Sequence, residues 1–270
     1  MGLKAVKTML KGLWVGSTMT VPGVSGGTMA VVIGIYEELI EAVNGFLKHP
    51  GKYALFLLQF VLAGAAGFLF FARFITYLLQ NGESAEVVRF FFCGVVLGGV
   101  PLLVEKSQVK KLRFREILAI SCGTLVVLLL ARLPQGLFAG GNGFSEILLQ
   151  AAGGFLIAVA LILPGISATH MLYILGIYEQ VLEQVYQLKI LELLPFAVGG
   201  ILGTILTAGA MAKLLETKTE LVYLAILGFV MGSLETLIPT GKLQHPFAGI
   251  AALVAGFAFL YLLSRRTGER

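Results

Sequence analysis

The stretches of this sequence best equipped for chemistry are Val21–Thr28, VPGVSGGT, and Leu163–His170, LPGISATH. In the first, Ser25 and Thr28 supply hydroxyls, while Gly26 and Gly27 let the backbone turn tightly. In the second, Ser167 and Thr169 supply hydroxyls, and His170 stands where the first stretch has Thr28. Pro22 is expected to end one helix, as proline does. A helix restarting near Gly27 would aim unpaired N–H groups and its positive dipole end into the bend, a setting suited to an anion such as phosphate. Histidine changes charge near neutral pH, so His170 reads either as a working group or as a hydrogen-bonded packing residue.

Four more ionisable residues stand beside or within apolar sequence. Glu37 and Glu179 each follow a Gly-Ile-Tyr; carboxylates there are expensive unless paired or hydrated. They read as proton-coupling groups or as caps at the membrane interface, and Glu38, Glu41 and Glu183 read as interfacial. Arg73 and Arg89 flank the polar connector LLQNGESAE. Either they snorkel to the surface, or they grip a lipid phosphate through paired N–H donors. Cys93 and Cys122 lack metal-ligand spacing and read as packing residues. No metal or cofactor is expected.

The elements that must position these groups are apolar. Of 270 residues, 57% are hydrophobic and 13% charged, with a mean hydropathy of +0.91. So few charges cannot cover a soluble surface. Apolar runs of about 20 residues, enough to cross a hydrocarbon core, recur throughout. The net charge of +5 sits in short connectors, where it orients the chain in the bilayer and gives no reason to invoke nucleic acid. Lys4, Lys7 and Lys11 before the first apolar run superficially suggest a signal peptide, but no small-residue cleavage site follows, so the segment is expected to be mature sequence.

The chain says the same thing twice. With Pro22 set against Pro164, Ser25 meets Ser167, Met29 meets Met171, and Gly-Ile-Tyr-Glu meets Gly-Ile-Tyr-Glu; over the 20 positions Pro22 to Glu41, 9 are identical. Weaker matches follow, LLQFVLAGAAG with LLPFAVGGILG and GVVLG with GFVMG. Such self-similarity marks an internal repeat. The glycine pairs Gly94/Gly98, Gly199/Gly203 and Gly228/Gly232 suit close helix packing in lipid.

Loop charges set the topology. Lys-rich sequence at the N-terminus, at Lys106–Arg115 and at Arg265, Arg266 and Arg270 places those parts in the cytoplasm, and NGESAE outside. A segment Trp14–Val43 that crossed would put Lys48 and Lys52 outside and invert every later loop of that half. A segment that enters and returns keeps the signs right, with Lys189 and Lys242 as weak exceptions. The expected fold is therefore an all-α polytopic membrane protein with an inverted structural repeat, each half a re-entrant, Pro-Gly-broken helical hairpin plus three transmembrane helices. Residues 1–135 form the first repeat (hairpin about 12–45, spans about 53–79, 86–104 and 115–132). Residues 136–270 form the second (hairpin about 147–186, spans about 190–215, 221–238 and 246–263). Inverted repeats meeting at broken helices are the usual geometry of secondary transporters.

At VPGVSGGTMAVVIGIYEELI and LPGISATHMLYILGIYEQVL the chain resembles a bacterial membrane family, formerly catalogued as a domain of unknown function and now described as polyprenyl-phosphate transporters. The resemblance implies a multi-pass protein of the cytoplasmic membrane. It would return undecaprenyl phosphate from the outer to the inner leaflet for reuse in building the cell envelope. No residue roles are carried over with it. Membrane polyprenyl diphosphate phosphatases share inverted repeats and a Pro-Gly-x-Ser motif, but there an arginine follows the serine. Here Gly26 follows Ser25 and Ala168 follows Ser167, which argues against an enzyme. A small-ion or small-solute transporter is the other alternative; it calls for a continuous polar path, whereas a lipid carrier calls for a lateral opening.

Overall fold

The computed structural model of the chain describes residues 2–21, 24–80, 82–138, 143–238 and 245–268. Pro22 and Gly23 of the first bend, Asn81 of the connector between the first two long helices, Lys242 and Arg270 lie outside the described residues. The order is α1 (Leu3–Thr18), α2 (Gly26–Val32), α3 (Tyr36–Gly45), α4 (Pro50–Gln80), α5 (Gly82–Ser107) and α6 (Phe114–Ala131). Then come α7 (Phe144–Ile162), α8 (Ala168–Leu175), α9 (Tyr178–Tyr186), α10 (Leu194–Thr217), α11 (Thr219–Leu237) and α12 (Pro246–Gly268). Among the described residues there is no strand. Each set of six runs long, short, short, long, long, long.

Seven helices are long and apolar enough to cross a membrane: α4, α5, α6, α7, α10, α11 and α12. The sequence predicts six; the extra one is α7, whose 19 residues span roughly 28 Å at 1.5 Å per residue. The chain is thus a multi-pass membrane protein. Large apolar side chains such as Phe70, Leu202 and Phe247 stand exposed on α4, α10 and α12, as a lipid-facing surface requires.

Local sequence explains the breaks. Pro50 and Pro246 open α4 and α12, where a missing N–H costs nothing. Lys189 to Leu193 turn ahead of α10, with Leu188 at φ 53°, so α10 starts four residues after the expected Ile190. The repeated Gly-Ile-Tyr-Glu is a second break, not foreseen. Gly34 and Gly176 adopt φ of 66° and 76°, a conformation that ends helices and suits glycine. Each hairpin therefore has three helical pieces.

Glycines let the long helices touch backbone to backbone, in matched places. A side chain at Gly12 would strike the carbonyl of Phe60, and one at Gly154 that of Phe196. Gly67 meets Leu13 as Gly203 meets Phe155. Gly94 meets Leu253 as Gly228 meets Ile120, and Gly256 meets Phe91 as Gly123 meets Ala225. Gly98 follows with Phe257 and Gly232 with Thr124. Residue numbers rise together across each contact, so α1 lies parallel to α4, α7 to α10, α5 to α12 and α6 to α11. The last two pairs cross between the halves.

The hairpins close on themselves in the same way. Lys11 Nζ donates to the carbonyl of Gly34 at 3.2 Å, and Lys4 pairs with Glu38 at 3.1 Å. The repeat partners of Lys4 and Glu38 are Glu146 and Gln180, and Gln180 Nε2 donates to Glu146 Oε1. Short helix α2 is buried nearly throughout, its Met29, Val31 and Val32 in one core with Val95, Leu103, Ile226 and Val230.

Candidate functional site

The two bends meet. Gly27 abuts Pro164, whose Cα would lie 3.1 Å from an added Cβ. Tyr36 of the first hairpin donates its hydroxyl to the carbonyl of Ile162 at 2.9 Å, satisfying one of the acceptors left bare where α7 ends. Beside this contact lies a cavity of about 560 Å³. Ser25 and Gly26 from the first tip and Ser167, Thr169 and His170 from the second line it together, with α4, α6 and α11 as walls.

Ser25 and Ser167 occupy the position before α2 and α8, both in extended backbone. Ser167 Oγ accepts from the backbone N–H of His170 at 3.3 Å and so caps α8. Ser25 is buried and makes no such bond. His170 Nε2 lies 3.1 Å from the carbonyl of Leu130. A carbonyl only accepts, so this contact puts a proton on Nε2 and turns Nδ1 to the remaining work.

Hydroxyl protons are unevenly committed around the cavity. On the walls, Thr20 donates to Ser17 O at 2.6 Å, Ser233 to Val230 O at 2.8 Å and Thr236 to Ser233 O at 2.7 Å. At the tips, Ser167 only accepts, and Ser25 and Thr169 make no hydroxyl bond among the described residues. The tips therefore hold the donors that an anion would use. Sequence alone missed Thr20, Gln135, Ser233 and Thr236 as lining residues. They sit at helix ends and in a connector, where a polar residue carries no signal without the fold.

Other expected site residues lie elsewhere. Thr28 is buried, does not line the cavity, and its Oγ1 finds no partner. Gly27 serves the contact between tips. Arg73 on α4 is exposed and Arg89 on α5 half-buried; neither lines the cavity, and its described lining holds no Lys, Arg, Asp or Glu. Among the described residues no group of three or more His, Cys, Asp or Glu could hold a metal.

Glu37 and Glu179 are also outside the cavity. Glu37 pairs with Lys106 Nζ at 2.8 Å and accepts from the hydroxyl of Tyr223, to which Lys106 also donates at 3.2 Å. Burial pushes the Glu37 carboxyl up, but the Lys106 and Tyr223 bonds outweigh it and hold the group below the usual carboxylate range. Glu179 is exposed at the start of α9 and makes no ion pair among the described residues. The Glu37 clasp uses the end of α5 and the start of α11. The cavity uses the last turns of α6 and α11. From Tyr223 to Ser233 is roughly 15 Å along α11, so clasp and cavity lie toward opposite ends of the molecule.

Residues 15–251 match the VCA0040-like family, described as undecaprenyl phosphate translocase-like. The chain is similar to a polyprenyl-phosphate transporter of Vibrio cholerae, 28% identical over 255 residues that cover 87% of this chain and 78% of the relative. It is also similar to a polyprenyl-phosphate transporter of Staphylococcus aureus, 26% identical over 275 residues, 97% of this chain and 96% of the relative. No solved structure matches it.

Proposed function

Because the chain belongs to the undecaprenyl phosphate translocase-like family, we propose that it carries a polyprenyl phosphate, undecaprenyl phosphate by preference, from the outer to the inner leaflet of the bacterial cytoplasmic membrane. The head group passes between the hairpin tips while the tail stays in lipid. The observation that carries this reading is a cavity lined by both tips, with uncommitted hydroxyl protons on Ser25, Ser167 and Thr169. Phe68 and Leu161 line the same cavity and are 43% and 45% exposed. The cavity thus reaches the lipid-facing surface, which favours a lipid over a small solute. A transporter rather than a phosphatase also agrees with the relatives' names and with a lining that offers a diphosphate no arginine.

On this reading both hairpins are re-entrant and the halves are inserted in opposite senses, with both termini in the cytoplasm. The parallel pairs support it. If α4 starts at the end where α1 starts, the chain between them has returned to that end. Short connections make α5 and α6 antiparallel, and likewise α11 and α12. With α5 parallel to α12, the equivalent helices α5 and α11 run opposite ways. Backbone bent inside the bilayer otherwise costs several kcal/mol per bare group; here the bends are sheltered against each other or line the cavity.

Moving the head group inward opposes an inside-negative potential by about 2.3 kcal/mol per charge per 100 mV. For a phosphate monoester with one to two charges that is roughly 2–5 kcal/mol. A proton taken up with the lipid offsets it. His170 is the group we assign to that step, because it lines the cavity, whereas Glu37 and Glu179 lie outside it. Arg73 and Arg89, on the outer side in this orientation, offer an arriving phosphate its first contact.

The test is leaflet-resolved movement of a labelled polyprenyl phosphate in proteoliposomes, with phosphate release from the corresponding diphosphate followed alongside. Movement without hydrolysis is expected. Hydrolysis, or no movement, overturns the reading.

A further inference from the structure

At the lysine-rich end an ion pair holds the first hairpin to α5. At the other end Arg132 pairs with Glu235 across α6 and α11 at 3.6 Å, but the second hairpin makes no such tie among the described residues. At the lysine-rich end, the carboxylate of Glu37 in the first hairpin holds Tyr223 of α11 and Lys106 of α5. The repeat gives two of the three partners an ionisable equivalent, while that of Lys106 is Thr240, outside the described residues. Gly-Ile-Tyr-Glu pairs Glu37 with Glu179, and the glycines that set Gly94 against Gly228 pair Tyr223 with Arg89. The matched contacts of Gly94 with Leu253 and Gly228 with Ile120 show that this register also holds in three dimensions.

Arg89 lies 17 residues before Lys106 on α5, roughly 25 Å away and hence toward the opposite end. Glu179 lies there too, because its neighbour Gln180 holds Glu146 in the first turn of α7, and α7 follows the end of α6 whose residues wall the cavity. Neither Arg89 nor Glu179 makes an ion pair among the described residues, and the cavity lies between the tips and this end. The first hairpin meets the long helices with a carboxylate held by a phenol and an ammonium; at the equivalent place the second hairpin offers a carboxylate and α5 a guanidinium.

We infer that Glu179 and Arg89 are the outer-end counterpart of the Glu37–Tyr223–Lys106 clasp, and that they pair when the carrier turns its cavity toward the lysine-rich end. This rests on the transport cycle proposed above. In an inverted repeat, the second state arises when the halves exchange conformations, so Glu179 comes to hold Arg89 as Glu37 now holds Tyr223, and the Glu37 clasp opens. Arg89 then has two partners in turn: the arriving phosphate, and afterwards the Glu179 carboxylate, to which a guanidinium can bind with two N–H groups at once. Closure of the outer end is thereby coupled to departure of the anion from Arg89.

The test has two arms. In proteoliposomes, Arg89→Glu and Glu179→Arg each lower lipid movement about tenfold, and the double exchange, which keeps Arg73 and one guanidinium of the pair at this end for the arriving phosphate, recovers to within about threefold of wild type. A double variant no better than either single overturns the pairing. The second arm needs no lipid movement. Arg89→Cys with Glu179→Cys, in a chain carrying Cys93→Ser and Cys122→Ser, is treated with a short bifunctional thiol reagent, because a guanidinium and a carboxylate in contact keep their Cβ atoms farther apart than the about 4 Å that a direct disulfide requires. The cross-link is expected to form, and its yield to rise severalfold when Glu37→Gln loosens the opposite clasp. No cross-link in either background overturns the inference. If wild-type protein moved no lipid, the proposed function would fall and the cross-link would still decide the pair.

Discussion

The two hairpin tips begin from nearly the same sequence and do different work. The first, Ser25-Gly26-Gly27-Thr28, is largely buried; its serine makes no cap bond and Gly27 is pressed against Pro164. The second, Ser167-Ala168-Thr169-His170, is open; its serine caps α8, and Thr169 and His170 line the cavity. Where the first copy has Gly27 and Thr28, the second has Thr169 and His170. A residue without a side chain allows the first tip to be packed into, and polar side chains face the cavity from the second. Symmetry of backbone is thus compatible with asymmetry of chemistry: both serines line the cavity, and only the second tip adds further polar side chains to it.

The sharpest way to break this contrast is to exchange the positions' burdens. Gly27→Val adds a branched side chain where even a Cβ sits 3.1 Å from Pro164 Cα. We expect about 1–3 kcal/mol of destabilisation from overpacking and loss of lipid movement as the tips are wedged apart. Thr169→Val, at the repeat-equivalent position, adds no bulk and removes one hydroxyl. It should leave the melting temperature unchanged and weaken lipid-phosphate binding about tenfold, the loss of one hydrogen bond to a charged group. Equal effects of the two changes on stability would erase the difference between tips.

The paired serines test the contrast next. Ser167→Ala removes a donor and a helix cap and should cost about 1 kcal/mol of stability besides weaker binding; Ser25→Ala removes only a donor and should lower binding alone. With both changed, the protein should still insert and fold while binding of a labelled polyprenyl phosphate falls at least about tenfold. Unaltered binding would remove the tips from the site. His170→Gln is a milder probe, because it keeps a side-chain N–H for Leu130 and removes only the imidazole. Lipid-phosphate binding should change by no more than a few fold, while collapsing the proton gradient should no longer slow lipid movement. A variant slowed by the collapse as much as wild type would take the proton step away from His170.

Much of this was legible in the sequence because it depends on backbone breaks and on repetition. Pro-Gly inside apolar sequence forces a bend wherever it falls, and a repeated stretch forces two. The second break at Gly34 and Gly176 was hidden inside that same repeat, since a lone glycine is also the ordinary mark of close helix packing. The site was harder to read. Ser25, Ser167, Thr169 and His170 ride on the bends that the sequence shows, and all four line the cavity. Gln135 and Thr236 reach the cavity only through the way α6 and α11 pack, and the sequence does not show what Glu37 holds, because its partners Lys106 and Tyr223 lie 69 and 186 residues away.

The smallest expected effect separates the two equivalent glutamates rather than the tips. Glu37 is held below the usual carboxylate range, burial opposing and the Lys106 and Tyr223 bonds prevailing. A depressed carboxyl stabilises the fold above its unfolded value near about 4.3, and that contribution is lost as the pH falls through the lower, folded value. Glu37 is 56% exposed, so solvent screening keeps the term under about 1 kcal/mol. Glu37→Gln should therefore lower the thermal midpoint slightly at neutral pH and narrow the gap to wild type under strongly acid conditions, where both carry an uncharged side chain. Glu179→Gln breaks no ion pair in this state and should leave the neutral midpoint where it was. Equal shifts from the two variants would mean that Glu179 is already clasped, and the unequal ends of the molecule would have to be reread as equal.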